Sequence, residues 1–221
     1  MVDAVWWGER KEGTSWCSVV ARDPKRKEDL WWSHVDTETT EVYLHCRNDL
    51  EALGYTLLSV TGDGFGGIRK ASRNIPFQMC LVHMERIVTR GTTLNPDLEA
   101  GKVLLALTRS LHWSKKRDFH RRLDQYLYKY RDFLNEKTIH PSGEKHWTHE
   151  ALRKAVSSLL RFEPYLFTWK GNTNIPKTTN SLEGHFRHIK GITKIHSGLS
   201  RENKQRVLDS IFLEGSISPK N

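Results

Sequence analysis

The chain has 221 residues, 37% of them hydrophobic, which is enough for one or two domains with a buried core. Thirty-five Lys and Arg against 26 Asp and Glu give a net charge of +9 and a pI of about 9.5, a field that suits a polyanion such as nucleic acid. No apolar run approaches the roughly 18–20 residues of a membrane span. Asp3, Glu9 and Arg10 break any signal-peptide pattern, and three cysteines make no disulfide framework, so the expectation is a cytoplasmic, nucleoid-associated protein with no membrane partner.

Residues 2–8, 14–22 and 29–36 are rich in Val and Trp and are separated by Glu-Gly-Thr and Asp-Pro-Lys-Arg-Lys-Glu-Asp, which predicts a three-stranded meander. The period then turns helical over 40–53, with Tyr43, Cys46, Leu50 and Leu53 on one face and Gly54 as the C-cap. Residues 55–61 are a continuous apolar run, the mark of a strand covered on both faces. A short helix over 65–72, a strand from Pro76 to Val82 and a helix over 83–91 follow. From Asn95 to Phe162 the sequence reads as helix, with three apolar stripes: Val103 to Leu111, Phe119 to Leu134, and Leu152 to Leu160. A loop at 138–147, with Pro141 and Gly143, separates the second stripe from the third. Residues 164–169 read as a short strand or extended segment, and 180–191 and 200–213 as two final helices. The order β-β-β-α-β-α-β-α, followed by a helical block and a helix pair, is that of the ribonuclease H-like fold in its first part.

Three carboxylates stand in distinctive settings. Asp3 lies in Val-Asp-Ala-Val-Trp-Trp-Gly within the first strand, Asp63 follows the fourth strand in Leu-Leu-Ser-Val-Thr-Gly-Asp-Gly, and Glu183 lies in Asn-Ser-Leu-Glu-Gly on a late helix. Three acids on separate elements can hold two divalent cations about 4 Å apart, the arrangement that cuts and joins phosphodiesters. Each acid also has a plainer reading. Asp3 near a chain start is ordinarily solvated, and Asp63 between two glycines suits turn chemistry. Glu183, three residues after Asn180, suits a capping box with Asn180 as N-cap. Gly62, Gly64 and Gly67 match G-x-G-x-x-G formally, but they follow a meander, and Asp63 inside the motif would repel a pyrophosphate. Cys80 and His83 form C-x-x-H; with no second ligand pair in the chain, a structural pair is favoured over a zinc site. The helix over 115–131 is basic but also carries Asp118 and Asp124, which suits a solvated face. Lys177, Arg187, Lys190 and Lys194 flank Glu183 closely, as a phosphate-bearing substrate requires.

Taken in order, these motifs, with Ile-Pro-Phe-Gln-Met-Cys-Leu-Val-His and Asn-Ile-Pro-Lys-Thr-Thr-Asn-Ser-Leu-Glu-Gly-His-Phe, resemble the catalytic region of bacterial insertion-sequence transposases of the Mutator-like group. The likeness runs from about Asp3 to Phe212. It implies an α/β chain with a ribonuclease H-like mixed sheet and an inserted all-helical domain: core residues 1–92, insertion 93–165, and core residues 166–221. It implies Asp3, Asp63 and Glu183 as a catalytic triad holding two Mg²⁺ ions, with Mn²⁺ able to substitute. Cys80 and His83 match the pair that follows the second acid, and Asn180 matches the family's Asn-x-x-Glu. The implied partners are DNA, both transposon ends and target, and further copies of the chain assembled on it. Such transposases carry an amino-terminal DNA-binding region, whereas this chain starts two residues before Asp3, the form of a truncated or split copy. An inactive remnant that only binds DNA and a stand-alone ribonuclease H-like nuclease are the alternative expectations.

Overall fold

The computed structural model describes residues 1–195 and 198–216. In chain order its elements are β1 (Val2–Trp7), β2 (Trp16–Asp23), β3 (Glu28–Val35), α1 (Thr40–Ala52), β4 (Val60–Gly62), α2 (Gly66–Ala71), β5 (Phe77–Met79), α3 (Leu81–Thr92), α4 (Glu99–Arg109), α5 (Lys116–Lys129), α6 (Arg131–Leu134), β6 (Lys137–Ile139), β7 (Lys145–Trp147), α7 (Glu150–Phe162), α8 (Asn180–Ile195) and α9 (Arg201–Ser216). This is an α/β chain. It divides into two compact units, Met1–Gln78 with Thr168–Asn221, and Met79–Phe167.

In the first unit β1, β2 and β3 form an antiparallel meander, with Asp3 opposite Val20, Val5 opposite Ser18 and Trp7 opposite Trp16. Central β2 is buried along nearly its whole length, so both of its faces are covered. Because side chains alternate along a strand, Asp3, Val5 and Trp7 share one face. Val5, Trp7, Trp16 and Val20 on that face pack with Leu182, Phe186 and Ile189 of α8 and Leu208 and Phe212 of α9 in one apolar cluster. The opposite face meets α1, whose Tyr43, Cys46 and Leu50 are buried at the expected spacing. β4 and β5 form a separate two-stranded sheet, with the Val60 N–H donating to the Pro76 carbonyl, and β4 lies against β1.

Two readings of the sequence are corrected, the first in this unit and the second at the end of the other. The run over 55–61 is strand only from Val60 onward, since Leu58 is 68% exposed and Tyr55 41%, so the first half is not covered on both faces. Residues 164–169 continue from a 3₁₀ turn, Glu163–Tyr165, into bends and turns rather than forming a short strand or extended segment. The formal glycine motif serves packing: a Cβ on Gly67 would lie 3.1 Å from the Thr40 Cα, so α2 approaches α1 as closely as it does only with glycine there.

The second unit is built on α3, which packs against α4 and α7. Its boundary falls before the change of character near residue 92 because α3 makes these contacts within the helical set. A Cβ on Gly91 would sit 2.6 Å from the Ala151 carbonyl oxygen and 2.8 Å from the Ala155 Cβ, which makes α3 and α7 close neighbours at that point. Leu104, Leu111, Phe119 and Leu159 are fully buried in its core. The unit is not all-helical, which corrects the expectation of an all-helical insertion. The predicted loop at 138–147 contains an antiparallel hairpin, Lys137 opposite Trp147 and Ile139 opposite Lys145. Pro141, Ser142 and a positive-φ Gly143 make its turn, closed by the Gly143 N–H donating to the His140 carbonyl, while Thr138 and Ile139 supply strand propensity. All six strand residues are exposed, so no buried alternation announces the pairing in the sequence.

Candidate active site

The face-sharing of β1 and the apolar stripe of α8 decide where two of the acids go. Asp3 is two residues before Val5, and Glu183 follows Leu182; Val5 and Leu182 are both in the apolar cluster, so the packing that seats them brings the two acids together. Side-chain oxygens of Asp3 and Glu183 lie within 4.8 Å of each other, and both residues are half-buried. The Asp3 Oδ1 also accepts the Ala4 N–H at 2.8 Å.

Asp63 follows β4, and β4 lies against β1, but the three carboxylates do not all come within 4.8 Å of one another. The Asp63 Oδ1 accepts the Phe65 N–H at 2.8 Å, an Asx-type turn that leads into α2. Turn chemistry is therefore an actual role of Asp63. Its charge still reaches the same neighbourhood. Burial raises the Tyr43 phenol far above its ordinary range, and the charges of Glu38, Asp63 and Asp3 push it the same way.

Glu38 is a carboxylate that sequence reasoning missed. It precedes α1 in Asp-Thr-Glu-Thr-Thr, a stretch that reads as an ordinary polar turn. Burial raises its carboxyl above the usual range, the hydrogen bond donated by the Tyr43 hydroxyl opposes that shift, and Asp63 adds to it. Nothing in the local pattern marks it; its setting is supplied by the fold of α1 against α2 and β3.

Asn180 is the first residue of α8. The Thr179 carbonyl accepts the backbone N–H groups of Leu182 and Glu183, both at 2.9 Å, so Thr179 holds the N-cap place and Glu183 is the fourth helical residue. A capping box needs the acid third, so Asn180 and Glu183 do not form the expected box. A second device fixes α8 in place. The His185 Nε2 lies 2.7 Å from the Oδ2 of fully buried Asp29, whose Oδ1 pairs with Arg22. His185 was visible in the motif, but its partner on β3 was not.

Glu183, Arg187, Lys190 and Lys194 follow each other at helical spacing along one side of α8, beside the buried stripe of Leu182, Phe186, Ile189 and Thr193. The three basic residues are exposed, as is Lys177 in the segment before the helix. Lys190 and Lys204 stand over the Trp7 ring at 5.9 and 6.0 Å, and Arg201 over Trp16 at 5.4 Å. Cations thus extend from the Glu183 end of the helix along the meander.

Cys80 and His83 belong to the second unit. Cys80 is fully buried immediately before α3, and half-buried His83 lies in its first turn with its Nε2 3.4 Å from an Arg86 guanidinium nitrogen. Among the described residues, no group of metal-capable side chains includes Cys80.

One other constellation has the connectivity of a hydrolytic triad. The Ser18 Oγ is 2.8 Å from the His34 Nδ1, and the His34 Nε2 is 3.1 Å from the Asp209 Oδ1. Ser18 is completely buried and its hydroxyl already accepts the Trp7 indole N–H at 2.8 Å, so no substrate reaches it. The chain of bonds ties β2, β3 and α9 together, which is a structural role.

No family model, curated protein or solved structure matches the chain. No helix among the described residues is long and apolar enough to cross a membrane.

Proposed function

We propose that the chain is the catalytic region of a DDE-type transposase with a ribonuclease H-like core, which cleaves DNA strands and transfers them by metal-dependent chemistry. The observation that carries the reading is the meeting of Asp3 and Glu183, from opposite ends of the sequence, within 4.8 Å at the head of a basic helix face. The strand arrangement agrees with it. β1, β2 and β3 are paired in that order, and β4, paired with β5 in a separate two-stranded sheet, lies against β1; joined through that contact the strands would run 3-2-1-4-5, as in a ribonuclease H-like core.

The donor set suits a hard divalent cation. Carboxylate oxygens sharing one octahedral Mg²⁺ sit roughly 3–4 Å apart, inside the limit that separates Asp3 from Glu183. Asp3 and Glu183 would hold the first ion between them, and Asp63, whose Oδ1 is engaged by Phe65, would contribute Oδ2. Bound Mg²⁺ or Mn²⁺ would supply activation of the attacking water or 3′-hydroxyl and stabilisation of the leaving oxygen. Arg187, Lys190 and Lys194, with Lys177, would track the phosphates and hold the scissile bond in line beside the acids. Several copies assembled on DNA would be needed to join two ends to a target.

The test is a nicking assay on supercoiled DNA with and without Mg²⁺ or Mn²⁺, using wild type and Asp63→Asn, which keeps the shape and removes the charge. Metal-dependent nicking that falls by several orders of magnitude in the variant is expected. Equal activity in the two proteins would remove Asp63 from the mechanism. The engagement of Asp63 with Phe65 favours one second reading, a DNA-binding protein that no longer cleaves; folded, DNA-binding and inactive wild type would select it.

A further inference from the structure

The segment 168–179 of the first unit is an irregular stretch that is nevertheless fixed at both ends. The Thr168 hydroxyl donates to the Phe77 carbonyl at 2.7 Å, and the Trp169 N–H donates to the side-chain oxygen of fully buried Gln78 at 3.0 Å. At the far end the Thr61 hydroxyl donates to the Pro176 carbonyl at 3.0 Å. Between these anchors the chain folds on itself: the Asn174 N–H bonds the Asn172 side chain at 3.0 Å, and the Ile175 N–H bonds the Asn172 carbonyl at 3.1 Å. Ile175 is buried beneath the turn. A shallow hollow on the segment is lined by Trp169, Asn172, Thr173, Ile175 and Lys177.

Its chemistry is one-sided. No Asp or Glu occurs between Glu163 and Glu183. The ammonium groups of Lys170 and Lys177 stand 4.2 and 4.3 Å from the centre of the half-buried Trp169 ring. The anchor at Thr61 is two residues before Asp63, and Lys177 is six residues before Glu183, so the segment is tied to the elements that carry both acids.

We infer that this segment is a clamp for an unpaired nucleotide of a DNA substrate, with Trp169 stacking on the base and Lys170 and Lys177 taking the flanking phosphates. This rests on the DNA-processing reading above and deepens it. In a duplex both faces of a base are already covered by neighbours, so an indole platform recognises only a base that is splayed or single-stranded. Stacking of a base on an indole outweighs an exposed lysine–indole contact, so the two ammonium groups are displaced from the ring toward the phosphates when a strand arrives. The rigid anchoring lowers the ordering cost that an irregular segment ordinarily imposes on binding.

The experiment measures fluorescence anisotropy of labelled DNA in chelator, which keeps binding separate from cleavage. The probes are a blunt duplex and the same duplex with a six-nucleotide single-stranded extension. Wild type should bind the extended probe roughly five- to tenfold more tightly, the scale of one stacked base. Trp169→Ala should lose that preference while blunt-duplex binding is unchanged, and Trp169→Phe should retain part of it. Lys170→Gln and Lys177→Gln, at exposed positions, should each reduce the salt slope on the extended probe by about 0.7. Equal preference for the extension in wild type and Trp169→Ala, both folded by circular dichroism, would overturn the clamp. A Trp169-dependent preference without any metal-dependent nicking would leave the clamp standing and sink the cleavage reading. Nicking that depends on Asp63 with no role for Trp169 would do the reverse.

Discussion

Asp3 and Glu183 lie within 4.8 Å of each other, and their mutual repulsion is measurable as stability. Two like unit charges at that limit repel by about 0.9 kcal/mol at the dielectric of water and by about 3.5 kcal/mol at an effective dielectric of about 20. Both residues are half-buried, which places the value between these bounds. Arg187, four residues beyond Glu183 on α8, offsets about 0.3–0.5 kcal/mol of that repulsion. The separation is shorter than the Debye length of about 10 Å at 0.1 M salt, so ionic strength alone does not remove it. Glu183→Gln, which keeps the shape and an acceptor oxygen, should therefore be more stable than wild type in chelator. The expected rise in Tm is roughly 2–10 °C for a chain of this size. Wild type should gain stability from millimolar Mg²⁺ or Mn²⁺ by mass action, and Glu183→Gln should lose most of that gain. Thermal denaturation of chelator-washed proteins, with and without each cation, reads both effects. A variant no more stable than wild type in chelator, with an undiminished response to metal, would refute the idea that these carboxylates form a common cation site.

Other expectations concern the surrounding structure. Burial raises the Glu38 carboxyl, so its contribution to stability is present below its unfolded value near 4.5 and is lost as pH rises through the higher folded value. Glu38→Gln, which still accepts from Tyr43, should match wild type near pH 4 and exceed it increasingly toward pH 8 in urea unfolding; a constant difference would argue against ionisation as the cause. Gly91→Ala gains less than about 1 kcal/mol of helix propensity but forces a Cβ to 2.6 Å from the Ala151 carbonyl oxygen. The clash should dominate, with a net loss of roughly 1–3 kcal/mol in urea unfolding, and a stabilised variant would mean that α3 and α7 separate freely.

Much of this molecule was legible in its residues because the signals are short-range. Alternation and turn residues marked β1 to β3, and 3.6-residue spacing marked α1 and α4 to α9, since local periodicity is what a strand or helix needs to bury one side. The hairpin at 137–147 escaped because both of its faces are exposed, so it has no apolar alternation to read. The strand expected over 55–61 shrank to Val60–Gly62 because an apolar run says nothing about whether a partner covers it.

By itself the sequence supplied the candidate acids, the basic residues around Glu183 and the element order. Tertiary structure alone decided which of them meet. Asp3 and Glu183 come together because Val5 and Leu182 share a core, a contact between residues at opposite ends of the chain. The packing of α1 on the opposite face made half-buried Glu38 a neighbour of Tyr43, while the geometry of one turn engaged the Asp63 Oδ1 with Phe65. Those outcomes depend on apolar surfaces that close only when distant elements pack, and no local pattern of residue types encodes them.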